Sequence, residues 1–156
     1  KKIKNLNYKK LNKINLHTQT ISTYSATIAK ISGIRNILKT YQRDFIKKNK
    51  GCVLEGRDAS TKILKNSDVK FFFICNLNVA AKRRYSELRK KSKKISFKEV
   101  KRAIYKRNLI DKTRRISPLQ KHPDAILVNT TKNGKQAMIA KMSKHVENFL
   151  NKKYGN

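Results

Sequence analysis

Residues 50–61 read "KGCVLEGRDAST". A short apolar run, Cys52-Val53-Leu54, passes directly into Glu-Gly-Arg-Asp. Acids are scarce in this chain, nine against forty Lys and Arg, yet two of them flank Gly56 with an arginine between. The apolar run predicts a short buried strand over 52–55 with Gly56 at its end. In open α/β sheets ligands collect beyond the carboxyl ends of the strands, so Arg57 and Asp58 stand where a binding crevice is expected. Arginine there suits phosphate, because its planar fork donates two parallel hydrogen bonds. Aspartate accepts from an amino or hydroxyl group. A ligand that needs both carries phosphate at one end and donors at the other, as a nucleotide does.

The rest of the chain supplies the frame. At 156 residues it is long enough for one domain with a core. Residues 69–75, "VKFFFIC", are apolar almost throughout and predict a central strand covered on both faces, after a turn at Asn66-Ser67-Asp68. Residues 125–128 predict a third strand, beyond a loop bracketed by Pro118 and Pro123. Between and around them lie helical patterns. Ile28, Ile31, Ile34, Ile37 and Leu38 recur at steps of three and four, with a joint at Ser32-Gly33 and a second helix over 34–48 that Asn49-Lys50-Gly51 closes. Residues 78–91 predict a helix with Arg83 and Glu87 one turn apart. "SFKE", 96–99, is a capping box that opens a helix toward Arg107. Residues 136–150 predict a closing amphipathic helix, and residues 1–16 fit a weak helix or a strand pair. Strands alternating with helices argue for a parallel α/β sheet. The lysine runs at 47–50 and 89–94 are the only low-complexity tracts, and the second is expected to be a mobile joint.

The net charge of +31 points to an anionic partner or to lysine-rich compositional drift with a solvated surface. Cys52 and Cys75 sit in apolar runs without a Cys or His at ligand spacing, which predicts two reduced, buried thiols and no metal site. His17, His122 and His145 are scattered and read as surface residues. Lys9, Lys10 and Tyr24 mix basic and aromatic character, and core or surface packing is preferred there over nucleic-acid contact. No apolar run has the length of a membrane span and no signal-peptide pattern is present, so a cytoplasmic protein is expected.

A second cluster strengthens the reading. "YKRNLIDKTRRISPL", 105–119, sets Arg107, Asp111 and Arg114 at spacings of four and three, one face of a helix. Again arginines surround a lone acid. Together "EGRDAST", "VKFFFICNLNVAAKRRYSEL", "RNLIDKTRRISPLQKHPDAILVNTT" and "ISTYSATIAKISGIRNILKTYQRDF" resemble the bacterial cytidylate kinases, P-loop enzymes that phosphorylate CMP and dCMP. The resemblance implies a P-loop nucleoside monophosphate kinase-like parallel sheet with helices on both faces. It implies CMP-binding helices in 1–50, core strands in 51–76, a lid in 77–117, and a core strand with the last helix in 118–156. It implies that Asp58 and Arg35 read the cytosine, that Arg57 and Arg114 hold the CMP phosphate, and that Arg107 and Asp111 hold the ribose end. Arg57 and Arg114 are then also the catalytic pair, and Arg83 lies against the adenine of ATP.

The departures are informative. The family's phosphate loop, G-x-x-x-x-G-K-[ST], which cradles ATP and ligates Mg²⁺, is absent; "NGKQ", 133–136, lacks its first glycine and its hydroxyl. With Lys1 at the start, the chain is expected to be a C-terminal part of such a kinase, inactive alone and monomeric. Ala26 stands where the family often has a serine, with Ser25 beside it. Ala59-Ser60-Thr61 replaces an apolar-Gly-Thr step. Asn108 and Asn129 stand for aspartates and Ala80 for an arginine. The alternative is a small basic nucleic-acid-binding protein, using its charge on phosphate backbones.

Overall fold

The computed structural model describes residues 16, 18–49, 51–90 and 94–155. The predictions for residues 1–15, for His17, for Lys50 and for residues 91–93 lie outside the described residues. The element order is α1 (Gln19–Ile28), α2 (Ser32–Lys48), a π-helical turn (Ala59–Ile63), β1 (Phe71–Ile74), α3 (Leu77–Arg89), α4 (Phe97–Thr113), β2 (Ile126–Asn129) and α5 (Lys135–Tyr154). The strands pair in parallel, Phe71 opposite Ile126 and Ile74 opposite Asn129, across a crossover that contains α3 and α4. This is the parallel α/β arrangement that alternating elements predict. No helix among the described residues is long and apolar enough to cross a membrane.

Local chemistry explains the helix limits. Thr18 caps α1, its hydroxyl accepting from the Ile21 amide at 3.2 Å. The chain turns at 29–31, three residues before the predicted joint, and Ser32-Gly33 opens α2 instead. A glycine in the first turn costs little cooperativity, because those amides have no intrahelical acceptor in any case. Lys47 and Lys48 complement the negative end of α2. Gly51 then takes φ 70°, the left-handed region that glycine enters without a Cβ clash. The Asn76 side chain caps α3 through the Asn78 amide. The predicted capping box opens α4, with the Glu99 carboxylate accepting from the Ser96 amide at 3.1 Å, and α4 continues past Arg107 to Thr113.

Packing centres on α3 and α4. Ala81 and Leu88 of α3 and Val100 of α4 are buried, the Tyr85 and Phe97 rings meet edge to face, and α1 packs on α4 through buried Ala26. Val128 of β2 is 1% exposed. Helix α5 touches β1 through the edge of His145 on Phe71, and Lys153 pairs with Asp68. Among the described residues neither α2 nor α5 contains a buried side chain.

Five expectations are corrected. Residues 52–55 form no strand, and Val53 is fully exposed: a strand persists by exchanging backbone hydrogen bonds with a neighbour, and the described sheet has only β1 and β2. Strand β1 is not covered on both faces, since Phe73 and Ile74 are exposed. Arg84, not Arg83, pairs with Glu87, at 2.9 Å and a spacing of three. The thiols are free but not buried. Cys52 is half-exposed, and Cys75 is exposed because it follows the last residue of β1. His122 and His145 are half-buried rather than fully on the surface.

Replacing Val128 by Ala removes two buried methyl groups and is expected to cost about 2 kcal/mol in urea unfolding. Val53→Ala, by contrast, is expected to stay within about 0.5 kcal/mol of the parent chain, as an exposed residue outside any ladder should.

Candidate functional site

The second cluster forms on the last turns of α4. Asp111 is 2% exposed. Its Oδ1 accepts from Arg114 Nη1 at 2.8 Å, one turn further on. Its Oδ2 lies 3.3 Å from Arg57 Nε and 3.9 Å from Arg107 Nε, as ion pairs without hydrogen-bond alignment. The backbone closes the same corner. Leu119 N donates to Asp111 O at 2.7 Å, and Arg114 Nε donates to Ser117 O at 2.7 Å. Ser117 takes φ 52°, a left-handed conformation that costs a serine about 1–3 kcal/mol and that the Arg114 bond holds in place.

The Gly-Arg-Asp step is positioned from α2. Arg43 donates to the carbonyls of Lys62 and Ile63 and so ties the π-helical turn to that helix. Asp58 precedes the turn, is buried, and accepts from Arg35 Nη2; Arg35 Nη1 reaches Ala29 O at 3.3 Å. Of the two acids that flank Gly56, Asp58 is thus the buried, paired one, while Glu55 is exposed. Arg57 turns the other way, to Asp111 and to Asn108 Oδ1 at 3.5 Å.

The two clusters are one electrostatic unit. Burial pulls the Arg114 guanidinium below the usual arginine range; Asp111 opposes this, and Arg35, Asp58 and Arg57 all act on it as well. Burial also lowers Arg107, with Arg57 adding to the effect and Asp111 opposing it. Four guanidiniums share two carboxylates here, so positive charge is left uncompensated. Among the described residues three buried polar side-chain atoms have no hydrogen-bond partner: Arg107 Nε, Arg114 Nη2 and Asp111 Oδ2.

A cleft of about 750 Å³ opens beside this unit, walled by Arg57, Arg84, Arg107 and Lys112 with Phe73 and Leu77. Arg114 faces a smaller cavity of about 340 Å³ that it shares with Lys30 and Arg115. Of the expected site residues, Arg35, Arg57, Asp58, Arg107, Asp111 and Arg114 come together. Arg83 stands apart, donating to Thr130 O at 2.7 Å and to Asn133 O at 3.3 Å where β2 ends. Ser25 turns its hydroxyl back to Ser22 O and does not take over the position of Ala26, which is buried. Ser22, Arg84, Asn108 and Lys112 were not expected at the site. Of these, Asn108 had a signal, standing where the family has an aspartate, and Arg84 adjoins the expected Arg83. Among the described residues no group of His, Cys, Asp and Glu could hold a metal ion.

Guanidinium groups gather beside the carboxyl end of β1 in this α/β protein, the place where ligands collect in such sheets. Comparison with known proteins narrows the class. The sequence model described as cytidylate kinase matches residues 3–148. The cytidylate kinase of Thermosipho melanesiensis is 38% identical over 132 residues, covering 85% of this chain and 60% of that protein. That of Clostridium tetani is 34% identical, covering 86% and 59%, and that of Rickettsia africae 31% identical, covering 89% and 64%. The chain belongs to the cytidylate kinase family and has the α/β fold of the P-loop nucleoside monophosphate kinases. It spans about 60% of the length of these curated relatives.

Asp111→Asn keeps the shape of the side chain and removes the charge that three arginines share. Breaking a buried ion pair in this way is expected to cost about 3–5 kcal/mol, read as a lower urea midpoint at unchanged slope.

Proposed function

We propose that this chain carries the acceptor-nucleotide site and the lid of an ATP:(d)CMP phosphotransferase, which converts CMP or dCMP to (d)CDP. The observation that carries the proposal is the set of unspent polar atoms. Arg107 Nε and Arg114 Nη2 are donors without an acceptor, and Asp111 Oδ2, though ion-paired with Arg57, accepts no hydrogen bond. A phosphate monoester bears about −1.5 to −2 charges at pH 7 and answers both the donors and the excess positive charge. A sugar hydroxyl answers the carboxylate oxygen. Asp58, fixed by Arg35, accepts from the exocyclic amino group of cytosine, and the guanidinium of Arg35 borders the ring acceptors.

In the reaction an oxygen of the CMP phosphate attacks the γ-phosphorus of ATP, and the bond to the β–γ bridging oxygen breaks, releasing ADP. Arg57 and Arg114 grip the attacking phosphate and reduce its repulsion toward the incoming phosphoryl group. Electrostatic alignment of this kind is most of what phosphoryl transfer asks of a protein. Residues 77–117, the α3–α4 pair, serve as the lid that excludes water. Arg83, anchored beside Thr130, offers a planar face to the adenine of ATP. Mg²⁺ would accompany ATP, held chiefly by the ATP phosphates and water, and would neutralise part of their charge. The protein acts as a cytoplasmic monomer on free nucleotides.

Calorimetric titration of the chain tests this. CMP and dCMP are expected to bind saturably and UMP not to compete, because uracil presents a carbonyl to the Asp58 carboxylate. Asp58→Asn, with an unchanged circular dichroism spectrum, is expected to weaken CMP by about tenfold or more, the cost of a lost or unsatisfied buried hydrogen bond. Equal binding of UMP would overturn the proposal. So would binding to mixed-sequence RNA that survives the Asp58 substitution and falls steeply with salt.

A further inference from the structure

Ser22 lies on α1, one turn before the buried Ala26, on the face that packs against α4. Its hydroxyl accepts from Arg107 Nη1 at 2.6 Å, across 85 residues of sequence, and Ser22 itself lines the large cleft. Arg107 needs such a partner. Asp111 is already engaged by Arg114 at 2.8 Å and Arg57 at 3.3 Å, and it stands 3.9 Å from Arg107, beyond hydrogen-bond reach. Arg57 repels Arg107 from the same side. The Arg107 side chain is 38% exposed, so without a second anchor its long stem would be free to swing toward water.

We propose that Ser22 is a positioning residue for the acceptor phosphate: it fixes the Arg107 fork at the cleft wall and does not itself bind the base. The inference rests on the nucleotide reading given above. Prepaying the ordering of a flexible arginine strengthens binding without any new contact to the ligand. The hydroxyl is the required group, since a carbon at this position offers Nη1 no acceptor. Threonine retains the oxygen.

The experiment titrates the parent chain, Ser22→Ala, Ser22→Thr, Arg107→Ala and the Ser22→Ala/Arg107→Ala double variant with CMP and with cytidine, which lacks the phosphate. Ser22→Ala is expected to weaken CMP by about five- to tenfold and to leave cytidine within about twofold, while Ser22→Thr restores CMP binding. In the Arg107→Ala background the serine change is expected to have no further effect on CMP, because its role passes through that arginine. Equal losses for CMP and cytidine, an additional loss in the double variant, or no loss at all would overturn the assignment. A parent chain that binds neither ligand would instead overturn the nucleotide reading. In that event the same four variants are compared by urea unfolding, and absence of coupling between Ser22 and Arg107 overturns the link on its own.

Discussion

One carboxylate organises this molecule. Asp111 is almost wholly removed from water, and a buried charge persists only when its pairing is worth more than its lost hydration. That condition gathers three arginines around it, Arg107 and Arg114 from its own helix end and Arg57 from the Gly-Arg-Asp step. Arg114 closes the end of α4 and holds the strained Ser117 carbonyl. Arg57 brings the Gly-Arg-Asp step against α4, and Arg107 carries the connection on to α1. The route of the chain around the site follows from the coordination of a single side chain. The same crowding leaves Arg107 Nε and Arg114 Nη2 without hydrogen-bond partners.

The apolar contribution is modest by comparison. Among the described residues the buried apolar ones are Ala26, Ala81, Leu88, Val100, Ala125 and Val128, three of them alanines, and Asp58, Asp111, Arg114 and Thr130 are buried as well. Alanine burial contributes little per residue, so the α3–α4 pair depends on Leu88, Val100 and the Tyr85–Phe97 ring contact. Helix α5 meets the rest of the described residues through the His145–Phe71 ring contact and the Lys153–Asp68 ion pair, among other contacts.

Much of this was legible in the sequence because its signals are local. The capping box at Ser96 and the parallel pairing of the two apolar runs rest on near neighbours or on plain alternation of elements. The aspartates were legible for a different reason: an acid among arginines is conspicuous in a chain with few acids. What failed was non-local. Cys52-Val53-Leu54 has the composition of a strand, but composition does not supply a ladder partner. Glu87 had two arginines within helical reach, and the choice of Arg84 was settled by Arg83 finding Thr130, 47 residues away. Ser22 was silent for the same reason, since nothing in "QTISTYSATI" foretells an arginine 85 positions on.

The exposed strand pair has a colloidal consequence. Phe73, Ile74 and Leu127 face outward from a ladder of two strands, and Val53 stands fully in water nearby in sequence, surfaces on which like copies would stick. A net charge of +31 opposes that encounter at long range. Such repulsion weakens as the Debye length falls, from about 30 Å at 0.01 M salt to about 3 Å at 1 M. The lysines that look like surplus around the site thus act as the chain's solubilising shell, and ionic strength is the quantity that sets how well they do so.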